Sequence, residues 1–338
     1  MKNVALIGVG MVADTHRLAL EASPLAQLAV VCARRPERAA DYAKPHGLRT
    51  ASLAEVAADP QIDFAIVATP PNTHAEVVGT LVKAGKPILL EKPIDRTLAG
   101  AQAIVAMCEA ASVPLGIVFQ HRTRDVSRKL AELVEHGALG DIAHVEIAVP
   151  WWRDQSYYDA PGRGTIAQDG GGVLITQAIH TLDLALSLTG PVAQVQAMAR
   201  TSKLHGMEGE DVVAAGLDFV SGAVGTLTAS TASFPGGAES ITLHGTLGSA
   251  QLARAQLDVH WRDGRTETHG ALANTGGGAD PMAFTHAWHQ GVIDDFATAL
   301  DEGRPPLVTG RDALKTHALI DALMDSSREG RRMKVANV

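Results

Sequence analysis

The chain has 338 residues, 46% of them hydrophobic and 20% charged, with a formal net charge of −8. That length is ample for two packed domains, and the acidic balance argues against a nucleic-acid partner, which calls for a basic face. The two cysteines, Cys32 and Cys108, lie in apolar stretches outside any CxxC spacing. This argues against a disulfide framework or zinc-thiolate site and fits a reducing cytoplasm. The apolar run at 4–7 is too short for a secretory signal or a membrane span, so no membrane partner is expected.

In chain order, the first third alternates short apolar runs with amphipathic stretches. Strands are expected over 4–7, 29–32, 64–68, 88–90 and 115–119, and helices over 11–22, 36–46, 74–84 and 98–111. Such alternation implies parallel βαβ units with helices on both faces of a sheet. After residue 120 the pattern changes. A helix over 126–136 and a strand over 143–149 precede an aromatic, glycine-rich loop over 151–172 and a helix over 173–188. Strand-like runs follow at 194–199, 212–219, 223–232, 240–244, 249–253 and 256–261, separated by turn signals. Consecutive strands with short turns favour an antiparallel sheet. Helices over 286–300 and 311–327 close the chain. The expected fold is α/β plus α+β. It pairs a Rossmann-type parallel-sheet domain at 1–120 with a domain at 121–338 built on a mostly antiparallel open sheet.

Gly8-x-Gly10-x-x-Ala13 follows the first strand and opens the first helix. Gly8 permits a tight turn, Gly10 has no side chain to block a pyrophosphate, and Ala13 allows close helix–strand packing. The helix amides, with Met11 and Val12 at their head, then face the phosphate charge. At the end of the second strand, Ala33 stands where an acid would bind the adenosine ribose, and Arg34 and Arg35 follow. A missing acid plus guanidinium suits a 2′-phosphate, so NADP is the preferred cofactor and NAD the alternative. Glu91-Lys92-Pro93 ends a strand at the sheet edge where ligands bind in open α/β folds.

These motifs occur in order with Thr69-Pro70-Pro71-Asn72-Thr73-His74, with Asp169-Gly170-Gly171-Gly172-Val173-Leu174 leading to His180-Thr181-Leu182-Asp183, and with Thr309-Gly310-Arg311-Asp312-Ala313 and Ser326. Over essentially its whole length the chain resembles the Gfo/Idh/MocA family, which includes glucose-fructose oxidoreductase and inositol dehydrogenase. The resemblance implies hydride transfer between nicotinamide and a secondary alcohol or ketone carbon of a sugar, polyol or sugar derivative. Lys92 would polarise the oxygen, and His180 would be the acid/base, a role that suits imidazole near neutral pH. It also implies that Thr69, Pro70, Asn72 and His74 line the nicotinamide half of the cofactor and that Glu91 orients the ribose or Lys92. Gln120, at the domain junction, is placed for cofactor contact. One departure matters: many members carry an acid four positions before the histidine, where this chain has Thr176.

Trp151 to Tyr158 holds two of the four tryptophans and two of the three tyrosines. Aromatic faces stack on sugar rings, so Trp152, Arg153, Tyr158 and Arg163 are expected at the substrate with Thr176 and His180. Gly170 to Gly172 would let the backbone approach a ligand closely. His286 and His289 are three apart, but no third ligand has an obvious place, so no metal is expected. A homodimer or homotetramer is expected. Within the same fold, a dihydrodiol or semialdehyde dehydrogenase is an alternative. So are a non-catalytic dinucleotide sensor and glycoside cleavage through transient oxidation with bound NAD.

Overall fold

Residues 1–272 and 284–338 are described by the computed structural model. In chain order the elements are β1 (Lys2–Ile7), α1 (Ala13–Ala22), β2 (Ala26–Cys32), α2 (Pro36–Ala43), β3 (Arg49–Thr50), α3 (Leu53–Ala58), β4 (Phe64–Val67), α4 (His74–Lys83), β5 (Ile88–Leu90), α5 (Leu98–Ala110) and β6 (Leu115–Ile117). Next come α6 (Asp125–Glu135), β7 (Ile142–Pro150), α7 (Gln155–Tyr158), α8 (Ile179–Thr189), β8 (Val192–Arg200), β9 (Val212–Phe219), β10 (Val224–Ser230), β11 (Ser240–Gly245), β12 (Gly248–Ala253), β13 (Gln256–Trp261) and β14 (Thr266–Gly270). Helices α9 (Ala287–Glu302) and α10 (Gly310–Glu329) and strand β15 (Met333–Lys334) complete the chain.

Two compact units result: Met1–Gln120 with Thr285–Leu314, and His121–Phe284 with Lys315–Val338. The first holds a parallel sheet in the order β3-β2-β1-β4-β5-β6, the strand order of the doubly wound dinucleotide-binding fold. Strands β4 and β5 are buried at every position, as a parallel sheet covered on both faces requires. Segment 285–314, assigned to the second domain on sequence, packs in this unit instead. The reason is the apolar stripe of α9. Val292, Ile293, Phe296 and Ala297 recur at helical spacing and join Val4, Leu6, Phe64 and Ile66 in one core, with the Phe296 ring edge-on to Phe64 at 5.2 Å.

Strand β3 and helix α3 have no counterpart in the sequence reading. β3 is two exposed residues without an apolar run. α3 starts from a capping box in which the Ser52 hydroxyl accepts from the Glu55 amide and the Glu55 carboxylate accepts from the Ser52 amide, a local signal at its N-terminus. The helix expected over 36–46 stops at Ala43 and tightens into a 3-10 turn, Lys44–His46, because Pro45 lacks the amide a longer helix needs.

The second unit is a nine-stranded sheet ordered β14-β13-β12-β11-β7-β10-β9-β8-β15. Every pairing is antiparallel except β7 with β10. Burial alternates along β7 and β10, so one face is covered and the other meets solvent. Helices α6 and α8 lie on the covered face. Strands β14 and β15 were not expected; Thr266–Gly270 and Met333–Lys334 carry no apolar alternation.

Candidate active site

Along the carboxyl edge of the parallel sheet, strands β1, β2, β4, β5 and β6 each lead into expected cofactor residues. Gly8 leaves β1 at φ +111°, its amide donates to the Cys32 carbonyl at 2.8 Å, and a Cβ there would lie 2.5 Å from the Ala68 carbonyl oxygen. Only glycine fits between the ends of β1 and β4. Gly10 differs, because a Cβ on it would meet nothing within 4 Å. That open volume adjoins the start of α1, where amides without intrahelical acceptors carry partial positive charge. A pyrophosphate suits such a place. Met11 is exposed, Val12 half-buried and Ala13 fully buried.

Beyond β2, Ala33 is half-buried while Arg34 and Arg35 are exposed, and no Asp or Glu stands among these three residues. Beyond β4, Thr69 is half-buried and Pro70 and Asn72 are exposed. His74 is fully buried, with its ring nitrogens 3.0 Å from the Ile94 carbonyl and 2.8 Å from that of Thr69, and burial pushes its pKa down. It ties the Thr69 and Ile94 loops together. Gln120 is buried at the end of the segment.

At the end of β5, Lys92 is half-buried and Glu91 buried. Glu91 Oε1 accepts from His16 Nε2 at 2.8 Å and lies 3.9 Å from His289 Nε2, while Oε2 accepts from the Lys92 amide at 3.1 Å. Burial alone would raise the Glu91 carboxyl, but the His16 hydrogen bond and the charges of His16, His289 and Lys92 hold it below the ordinary value. Burial, aided by His16, pushes His289 down to about 3. The sequence reading paired His289 with His286. The fold instead brings it to His16 and Glu91, from α1 and the end of β5, with ligand atoms within 4.8 Å of one another. The 2.8 Å contact is an ordinary charge-assisted hydrogen bond. The set therefore braces the segment that carries Lys92. His16 was missed on sequence, although its place three residues after Ala13 on α1 puts it one turn into the helix.

In the second unit, His180 lies on α8, which follows a π-helical turn over Leu174–Ala178; such turns recur at functional sites. His180 is buried and its ring stacks on His121 at 5.0 Å. One turn along α8, Asp183 takes both hydrogen bonds of the Arg122 guanidinium at 2.7 Å. This bidentate pair fixes the segment of His121 against α8. Thr176 donates to the Gly172 carbonyl at 2.6 Å and contacts the Gln177 amide oxygen.

The glycine run departs from expectation. A Cβ on Gly172 would collide with the Glu210 carbonyl oxygen, so the space belongs to the chain itself. Glu210 accepts from the Gly172 and Leu174 amides through its carboxylate, at 3.0 and 2.9 Å, and from Val173 through its carbonyl at 2.7 Å. It thereby satisfies the start of the helix that carries Thr176 and His180. Burial outweighs those amides and raises the Glu210 carboxyl.

The aromatic loop also splits. Arg153 is among the largest fully buried side chains. Its guanidinium lies over the Trp151 ring at 5.2 Å and donates to the Trp152 carbonyl at 2.7 Å. Tyr158 is buried, its hydroxyl is 2.7 Å from Thr231 Oγ1, and burial pushes its pKa up to about 12. Both side chains are therefore buried among their own neighbours, unlike Trp152 and Arg163 of the same loop. Trp152 and Arg163 are half-buried. Trp152 packs edge-on to Phe234 at 5.3 Å, and Arg163 lies over Tyr157 at 4.9 Å.

Residues 2–119 match an oxidoreductase family described by its NAD-binding Rossmann fold, and residues 127–251 match the GFO/IDH/MocA C-terminal domain. The chain is 28% identical over 348 residues to D-apiose dehydrogenase of Paraburkholderia graminis, covering 99% of this chain and 90% of that protein. It is 28% identical over 342 residues to inositol 2-dehydrogenase of Rhizobium meliloti, covering 98% of each. Among solved structures, levoglucosan dehydrogenase in complex with NADH and levoglucosan matches with a TM-score of 0.87 at 25% identity, over 99% of this chain and 100% of that one.

Proposed function

This chain belongs to the Gfo/Idh/MocA family of oxidoreductases, and on that premise we propose that it is a nicotinamide-dependent dehydrogenase for a secondary alcohol or ketone carbon of a sugar, polyol or sugar derivative. One observation carries the proposal. On a single edge of the parallel sheet, β1 ends at the open volume of Gly10 and β5 ends at Lys92. Gly8, Gly10, Met11 and Val12 would hold the pyrophosphate, and Thr69, Pro70, Asn72 and Gln120 the nicotinamide half. When bound, the nicotinamide supplies a hydride acceptor or donor. Lys92 hydrogen-bonds and polarises the substrate oxygen, and Glu91 holds Lys92 through its backbone amide. His180 takes or returns the hydroxyl proton. With Thr176 where many relatives have an acid, no carboxylate one turn earlier shares that task.

The exposed Arg34 and Arg35, and the lack of an acid at Ala33, favour NADP over NAD. Trp152, Arg163 and Thr176 would line the substrate in the second unit, with Arg153 and Tyr158 buried in the same loop. We assign the protein to the cytoplasm, where a chain whose Cys32 and Cys108 are buried and unpaired is at home. No described helix is long and apolar enough to cross a membrane. We further assign it a homodimeric or homotetrameric state, supported by exposed Met198, Val212 and Val224 on strands of the second unit; a monomer mass by light scattering would refute this.

Lys92→Met and His180→Gln test the roles. Both variants should bind NADPH like the wild type, by its fluorescence, and lose turnover by roughly 10²–10⁴-fold, the usual share of acid–base catalysis. Full activity in either variant would remove that residue from the mechanism.

A further inference from the structure

The exposed face of the nine-stranded sheet carries a second donor cluster, beside Val224, which pairs with His144 in register. His144 and Glu146 are two apart on β7, so the pleat sets both on one face. Antiparallel β11 pairs His244 with His144 and Thr242 with Glu146. The two imidazole rings stack at 5.4 Å with 9° between their planes. Glu146 Oε1 lies 4.0 Å from His144 Nδ1 and 4.0 Å from His244 Nε2, and the three side chains are 42, 52 and 41% exposed in chain order. All three ligand atoms lie within 4.8 Å of one another.

We propose that His144, Glu146 and His244 form a binding site for a divalent transition-metal ion, with zinc the best match. Two imidazoles and a carboxylate are borderline donors that suit zinc, whereas magnesium and calcium prefer oxygen donors alone. Three protein ligands leave a fourth tetrahedral position for water. Corners spaced in this way surround a point roughly 2.3–2.5 Å from each, against zinc–nitrogen and zinc–oxygen distances of about 2.0–2.2 Å. Each donor therefore has a few tenths of an ångström to travel, and the two imidazoles, parallel to within 9°, must also turn about their side-chain bonds so that both lone pairs meet the ion. Their exposure permits that movement, while the strand pairing fixes the Cβ positions. A further contact points to a ligand. His244 Nδ1 is 3.0 Å from Ser249 Oγ on the next strand, β12. Donation from Nδ1 to that oxygen leaves Nε2, the atom nearest Glu146, as a lone-pair donor. Metal-bound histidines are typically held in this way. The ion would clamp β7 to β11 through side chains, in addition to the backbone ladder. The sequence reading expected no metal because His286 and His289 lack a third ligand; it did not consider His144 and His244, which are 100 positions apart and which only the strand register unites.

Zinc chloride alone is titrated into the full chain by calorimetry in a non-chelating buffer, with the thermal midpoint read in parallel. One zinc per chain and a raised midpoint are expected. His144→Ala and His244→Ala should abolish that binding event, and Ser249→Ala should weaken it by roughly 10–100-fold. Circular dichroism in chelator-treated buffer confirms that each variant folds. If an alanine variant does not, the near-isosteric Glu146→Gln takes its place and should lose the event equally. Absence of stoichiometric binding, or binding that survives these substitutions unchanged, would overturn the site.

Discussion

Arg34 and Lys92 show how differently single residues can be read. The position of Lys92 follows from the strand it ends, next to Glu91 and Pro93, while the role proposed for it comes from the family resemblance. The choice of cofactor rests instead on what β2 lacks. With alanine at position 33, the positive charges of Arg34 and Arg35 are exposed and have no ribose-binding carboxylate to repel a phosphate. A charge-assisted hydrogen bond contributes about 1.5–3 kcal/mol, so Arg34→Ala should lower kcat/KM for NADP by about 10–100-fold and change that for NAD much less. Steady-state kinetics with both cofactors checks this, and equal losses would remove Arg34 from the 2′-phosphate. The burial of Arg153 and Tyr158 was not legible in the sequence, because composition marks an aromatic loop without revealing which side chains turn inward. Glu91, His16 and His289 meet across 273 positions, between α1 and α9, and no local spacing announces such a set. The same holds for Arg122 and Asp183.

At the scale of elements, the alternation of apolar runs and helices was enough to identify the parallel sheet and its turn. It was not enough for β3, β14 or β15, whose pairing comes from neighbouring strands rather than from their own apolar residues. The boundary near residue 120 gave no hint that α9 belongs to the first unit; only the fit of Val292, Ile293 and Phe296 into that core assigns it. The two glycines of the first turn, alike in sequence, have separable roles. Gly8→Ala forces an L side chain to φ +111° and into the Ala68 carbonyl. The left-handed backbone alone costs about 1–2 kcal/mol, so the thermal midpoint should fall without any ligand. Gly10→Ala meets nothing within 4 Å. It should keep the wild-type midpoint and lose affinity for NADPH. A variant at Gly10 that melts early, or one that binds NADPH as before, would contradict this division.

For the molecule as a whole, the buried titratable groups set how stability depends on acidity. His289 sits at about 3 in the folded chain, against an ordinary 6.5. As pH falls from about 6.5 towards 3, the unfolded chain takes up a proton that folded His289 refuses, and stability is lost. Glu91, held below its ordinary 4.5, adds to the loss below that value. Glu210, raised by burial, works the other way, because its folded form protonates first. The thermal midpoint should therefore fall between pH 7 and pH 5, and fall less in His289→Asn; an equal fall in the variant would clear His289 of the effect. Family membership gives this molecule a redox chemistry, and the roles proposed for Lys92 and His180 are the part of the account that remains to be tested. Absorbance at 340 nm, followed with NADP and with NAD against a panel of sugars, polyols and sugar acids, tests that directly. Substrate-dependent formation of reduced nicotinamide, faster with NADP and abolished by Lys92→Met, is the expected result. Tight cofactor binding with no absorbance change for any member of the panel would contradict it.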